Sequence, residues 1–103
     1  MKMNKMQIYK YYSVSDEIFV KIYKGHYRKG SILPAINKLA KELDTSPETI
    51  RKALYVLVDF KILTKSKNAF FITNDISSIE EYKESYIKKF KNMYEEAIQK
   101  FEK

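Results

Sequence analysis

Apolar side chains recur along the chain at two different periods, and the changes of period mark its elements. Ile18, Phe19, Ile22 and Tyr23 stand at i, i+1, i+4, i+5, one face of a helix; Ser13 and Asp16 mark its start and Gly25 its stop. Ile36, Leu39, Ala40 and Leu43, at i, i+3, i+4, i+7, predict a second helix of about two turns entered from Pro34. Asp44-Thr45 leaves room only for a tight turn. A third helix, from Pro47 to Asp59 or Phe60, buries Ile50, Ala53, Leu54, Leu57 and Val58 and turns Glu48, Arg51, Lys52 and Tyr55 outward. Two amphipathic helices across so short a turn predict a helix-turn-helix. The period then shortens. KILTKSKNAFFIT is β-branched and aromatic, broken at Ser66-Lys67-Asn68, and predicts a hairpin with Lys65 and Lys67 at its tip.

From Ser78 the helical period returns, with Ser78 and Glu81 in a capping-box pattern and neither Gly nor Pro after them. Ile79, Tyr82, Tyr86, Phe90, Met93, Ala97 and Phe101 form a stripe, flanked by Ile87, Tyr94 and Ile98. Such a stripe must be covered. Three short helices and a hairpin are too small to cover all of it, so a second copy of the chain is the economical partner; the alternative is a tail folded back on its own domain. The expected dimerisation residues are Tyr82, Tyr86, Phe90, Met93, Tyr94, Ala97 and Phe101. The fold expected is mainly α: a winged helix-turn-helix of three helices plus a β-hairpin wing over residues 1–74, then a long C-terminal dimerisation helix over residues 75–103.

Composition narrows the class. With 45% apolar residues, 15% aromatic, two glycines and two prolines in 103 residues, the chain suits one small helical domain plus one further element. The absence of cysteine removes disulfides and thiolate metal sites, which fits a reducing cytoplasm. No stretch is apolar enough to cross a membrane, and MKMNKMQIYK lacks the apolar region of a signal peptide, so the expectation is a cytoplasmic protein with no membrane partner. The net charge of +7 is unevenly spread: residues 1–74 hold 14 Lys/Arg against 6 Asp/Glu, residues 75–103 hold 6 against 7. A basic domain with a near-neutral appendage points to a polyanion for the first and another role for the second; a general bias toward lysine is the plain alternative.

SPETIRKAL, residues 46–54, concentrates the chemistry. Pro47 suits the first helical position and Ser46 the N-cap. The free N–H groups of that end, with Ser46, can receive a phosphate. Arg51 carries the planar fork that pairs with guanine O6 and N7. Glu48 would be repelled by phosphate unless it accepts from cytosine N4, or it serves only the helix dipole. Lys38, Lys41, Lys52, Lys65 and Lys67 are phosphate candidates, each alone more simply a solvated cation. Catalysis has little to work with: the single His26 lies in a predicted loop, and the glutamates of the tail interleave with lysines on a solvent face. Tyr9, Tyr11 and Tyr12 read as packing and interface residues. No enzyme activity, cofactor or metal is expected.

Gly25, Gly30, Leu33 and Pro34 fall in the spacing G-x4-G-x2-L-P, followed by Leu39-Ala40 and then Ser46, Thr49, Arg51, Ala53, Leu54 and Leu57. Over residues 8–74 this resembles the DNA-binding domain of the GntR family of bacterial transcription regulators. The resemblance implies that the third helix enters the major groove by its N-terminal residues, with Thr49 and Arg51 at contact positions, while the wing meets the minor groove or backbone. Asn37 and Pro47 stand where the family usually has arginines. Pro47 is similar to the Asn-Pro-Asn-Thr-Val variant of the short, YtrA-like branch, whose effector domain is replaced by a brief helical tail. Lys61 replaces the usual glycine ahead of the wing, and the tip lacks the usual glycine pair, leaving Asn68 to supply a left-handed turn residue. The interface expected on duplex DNA is Asn37, Lys38, Ser46, Pro47, Glu48, Thr49, Arg51, Lys52, Tyr55, Lys65, Lys67 and Asn68. The function implied is a sequence-specific, repressor-type regulator that binds a palindromic operator as a homodimer, its effector unknown. The alternative is a winged protein-interaction or replication-accessory module without site-specific DNA recognition.

Overall fold

The computed structural model describes residues 5–102, with side chains from Lys10 onward; residues 1–4 of the expected first domain, the Tyr9 side chain and Lys103 lie outside the described set. Helices α1 (Lys5–Tyr23), α2 (Ile36–Glu42) and α3 (Pro47–Asp59) are followed by strands β1 (Leu63–Ser66) and β2 (Ala69–Ile72) and by helix α4 (Ile76–Gln99). This is the helix-helix-helix-hairpin order of a winged helix-turn-helix, mainly helical. The core gathers Ile18, Phe19 and Ile22 of α1, Leu39 of α2, Ile50, Leu54 and Leu57 of α3, Ile62 before the wing and Ile79 of α4. Val58, expected inside, is only partly buried at its edge.

Three helices stop in the same way. After α1 the N–H of Gly25 bonds the carbonyl of Ile22 and that of His26 bonds Lys21. After α2 Asp44 bonds Lys41 and Thr45 bonds Ala40; after α3 Lys61 bonds Val58 and Ile62 bonds Leu57. Each is a Schellman motif, which requires a left-handed residue just past the cap. Gly25 takes φ +84° without strain, but Asp44 (φ 50°) and Lys61 (φ 64°) carry side chains there. A left-handed L-residue costs roughly 1–2 kcal/mol, partly offset because glycine is freer when unfolded. Lys61→Gly is therefore expected to stabilise the fold by about 1 kcal/mol and raise Tm by roughly 4–8 °C, read from a thermal melt; an unchanged or lower Tm would show that the turn is not strained.

The strands pair antiparallel with Leu63 opposite Ile72 and Ser66 opposite Ala69. The two-residue loop has its positive φ at Lys67 (45°), not at Asn68 as expected. The favoured two-residue hairpin turns demand positive φ at the first loop position, so position overrides the side-chain preference for Asn. On its other edge β2 takes Ile32 in a bridge to Phe71, with Leu33 N–H to the Phe70 carbonyl at 2.8 Å and Ile72 N–H to the Ser31 carbonyl at 2.8 Å. Gly30 is needed here: at φ +78° it admits the Asn74 side chain to within 2.6 Å of where a Cβ would lie.

Two helix starts differ from expectation. Helix α1 already runs from Lys5, so Ser13 and Asp16 lie inside it. Ser15 is tolerated there because its hydroxyl donates to the Tyr12 carbonyl at 2.7 Å. Helix α4 is capped by Asp75, whose carboxylate accepts from Ser77 N–H at 3.0 Å and from the Ser78 hydroxyl at 3.1 Å. Ser78 thus sits in the first turn, because the carboxylate upstream of it takes the free donors first.

Candidate nucleic-acid interface

The exposed face of α3 begins at a cap built as its sequence suggests. Pro47 occupies the first turn, and Ser46 Oγ accepts from Thr49 N–H at 3.1 Å while its proton goes to Thr49 Oγ1 at 2.9 Å. The two hydroxyls fix one another, so Thr49 is held in place before any ligand arrives. One turn along, Arg51 Nη2 donates to both oxygens of Glu48, at 2.6 Å to Oε1. Both side chains are 54% exposed, so the pair stands in solvent on the face a ligand would meet. The hydrogen bond from Arg51 holds the Glu48 carboxyl below its usual range and raises Arg51 in return. Sequence reasoning named both residues but not their pairing, which the i, i+3 spacing allows. Lys52, half-buried beside them, is itself engaged within the fold.

A second group forms at the wing. The Tyr55 ring meets Phe70 edge-on at 5.7 Å, and Lys65 Nζ lies 5.2 Å from the centre of the same ring. Lys65 also donates to the carbonyl of Lys67, folding its ammonium back over the turn. Phe70, 7% exposed, is the residue sequence reasoning missed: it ties the outward Tyr55 of α3 to the tip lysines. Its signal was its place in the alternating strand pattern, opposite Lys65. Lys67 and Asn68 are exposed at the tip, and Asn37 and Lys38 are exposed in the first turn of α2.

The stripe on α4 divides in two. Ile79 and Tyr82 are buried in the chain's own core: Tyr82 is 7% exposed, packs on Phe19 at 4.3 Å and Phe60 at 5.2 Å, and donates to Asp16 Oδ1 at 2.9 Å. Tyr82 is therefore removed from the expected dimerisation surface, because its ring and hydroxyl are already used within the chain. Burial, then the Asp16 carboxylate, pushes its phenol well above the ordinary tyrosine range. Lys89 Nζ reaches Asp16 Oδ2 at 2.5 Å, and Lys83 Nζ reaches the Tyr23 hydroxyl at 3.1 Å, so α4 is tied to α1 at two levels. The sequence reads Asp16 as a helix-start residue, and only the fold shows it as an acid inside α1 held by Tyr82 and Lys89. Beyond these ties Ile87, Phe90, Met93, Tyr94 and Ile98 are 39–68% exposed; Ala97 is exposed, Tyr86 is half-buried, and Phe101 lies past the end of α4 at 88%. Tyr86, Phe90 and Met93 face Tyr12 and Val20 of α1 across an open cleft of about 890 Å³. Among the described residues no cluster of His, Cys, Asp and Glu could hold a metal ion, and no helix is long and apolar enough to cross a membrane.

Comparison with known proteins bears on this geometry. The family model of bacterial regulatory proteins, gntR family, matches residues 10–72. The chain is similar in fold to a GntR family transcriptional regulator from Listeria monocytogenes, at 24% identity over 88% of this chain and 81% of that one, TM-score 0.74. It is also similar to BusR of S. agalactiae, solved in complex with its busA-promotor DNA, at 25% identity over 85% of this chain and 47% of that one, TM-score 0.66. A third likeness is to YtrA from Sulfolobus acidocaldarius, a GntR-family transcription factor, at 26% identity over 82% and 74%, TM-score 0.56. Comparison with curated protein sequences gives no match.

Proposed function

The chain belongs to the gntR family of bacterial regulatory proteins, and from that premise we propose that it is a cytoplasmic, sequence-specific repressor that grips a palindromic operator as a homodimer. The observation that carries the reading is the first turn of α3, where a prearranged Thr49 stands beside an exposed Arg51 on the basic part of the chain. BusR, a protein of similar fold, holds promoter DNA in its own structure. In this reading α3 lies in the major groove, with Thr49 and Arg51 on base edges, Ser46 and Pro47 at the backbone, and Glu48 and Tyr55 along the same face. Asn37 and Lys38 approach from α2, Lys52 from α3 and Lys65, Lys67 and Asn68 from the wing, chiefly toward phosphates and sugars. Residues 1–74 form the reading unit and residues 75–103 the joining one. Two copies meet through the C-terminal part of α4 from Tyr86 onward and through Phe101 beyond it, so that half-site spacing follows from the dimer's symmetry.

The test is a titration of duplexes spanning the region upstream of the gene, across a range of salt. A regulator gives one duplex bound at least about 10³-fold more tightly than random sequence, with log affinity falling steeply and linearly in log salt. Equal, weak affinity for every duplex would instead support an interaction module. On the preferred duplex Arg51→Ala is expected to cost about 1–3 kcal/mol and to relax base preference, because a guanine loses its forked partner. Unchanged affinity would remove Arg51 from the interface.

A further inference from the structure

Resting on the reading above, we infer that Glu48 is a specificity-determining residue: beside a guanine read by Arg51, it reads the amino group of a cytosine on the adjacent base pair. Three features carry the inference. First, a carboxylate stands on the outermost turn of the face turned to DNA, where a polyanion repels it unless it meets a donor. Second, it is not a free anion: its two oxygens share Arg51 Nη2, so the guanidinium is already directed along the helix rather than outward to a phosphate. Third, the two residues are one i, i+3 step apart, about 4.5 Å of helix rise, close to the 3.4 Å between successive base pairs.

In the major groove, guanine offers O6 and N7 to an arginine fork, and cytosine offers an N4 amino proton to a carboxylate. A guanine next to a cytosine therefore satisfies both partners while they stay side by side. A thymine or guanine in the second position turns an acceptor oxygen toward Glu48 with no proton between them. On random duplex, Glu48 meets acceptors or the phosphate backbone with no donor from the DNA to offset their repulsion. The same carboxylate rewards one step and weakens binding to the rest.

Selection from a randomised duplex library, run with the wild type, Glu48→Gln and Arg51→Ala, tests this. The wild type should enrich a guanine flanked by a cytosine in each half-site. Glutamine pairs with adenine through N6 and N7. Glu48→Gln should therefore keep the guanine, change the flanking preference from cytosine to adenine, and bind unselected duplex about three- to tenfold more tightly. Arg51→Ala should lose the guanine. Glu48 is exposed, so a melting curve matching the wild type's confirms that folding is not the cause. If Glu48→Gln recovers the wild-type consensus, or weakens all duplexes equally, the inference is overturned while the regulator reading stands. If the wild type enriches no consensus, both fall.

Discussion

Phe90→Asp is expected to convert the protein to monomers and to lower its affinity for a full operator by about 10²–10⁴-fold, the usual worth of a second tethered site. Phe90 is 46% exposed in the single chain, its ring 4.7 Å from Tyr86, in the middle of the part of α4 that the domain does not cover. Ile87, Met93, Tyr94 and Ile98 continue the apolar surface along the helix. A carboxylate there would have to be desolvated in any symmetric interface, against its own copy close to the two-fold axis. Because Phe90 lies outside the core, the monomer should keep its helical content, and its affinity for a single half-site should match that of one wild-type subunit. Sedimentation at micromolar concentration reads the first effect and a half-site titration the second. A variant that still sediments as a dimer would move the interface elsewhere, off the face of α4 that borders the cleft with α1.

What the sequence made legible follows from which forces act locally. The third helix could be bounded from Ser46 and Pro47 because a cap and a fixed φ act within one turn, and Gly25 marked the end of α1 for the same reason. Lys61 was signalled by standing where the family usually has a glycine, whereas Lys67 was silent as a left-handed residue because its side chain disfavours that region; chain reversal between packed elements forces it there, as it does Asp44, whose type tolerates that region better. The start of α1 was hidden because Ser13 and Asp16 look like cap residues. Inside the helix Asp16 is instead held by groups 66 and 73 positions away, Tyr82 and Lys89. Tyr82 shows the limit most clearly. Its period placed it correctly on the apolar face of α4, but periodicity cannot say whether the cover is the same chain or another. Glu48 and Arg51 were visible as separate candidates; their pairing needed only the neighbour rule for helices, and it changes the chemistry each can offer.

Tyr82→Ala is the second large effect, expected to cost about 3–5 kcal/mol, a substantial share of the stability of a small domain. The ring fills the junction of α1, the end of α3 and α4 against Phe19 and Phe60, and its hydroxyl is the inner partner of Asp16. Truncation leaves a cavity and a buried carboxylate that keeps the ion pair with Lys89, itself 45% exposed, but loses its inner donor. The loss should be as large in the Phe90→Asp monomer as in the wild type, because the contact lies within one chain; a loss seen only in the dimer would return Tyr82 to the interface. Tyr82→Phe separates the hydrogen bond from the packing and should cost about 1–3 kcal/mol, the desolvation left when Asp16 loses a donor. It should also change the response to alkali. Tyr82 ionises at higher pH in the fold than in the unfolded chain, so the folded state holds its proton longer, and this contribution is complete below about pH 10, the ordinary phenol value. Above that value it declines as pH rises toward the folded value. Wild-type stability should therefore fall between pH 10 and 11.5 more steeply than that of Tyr82→Phe in urea titrations; parallel curves would mean that the Tyr82 phenol is not held neutral by burial beside Asp16.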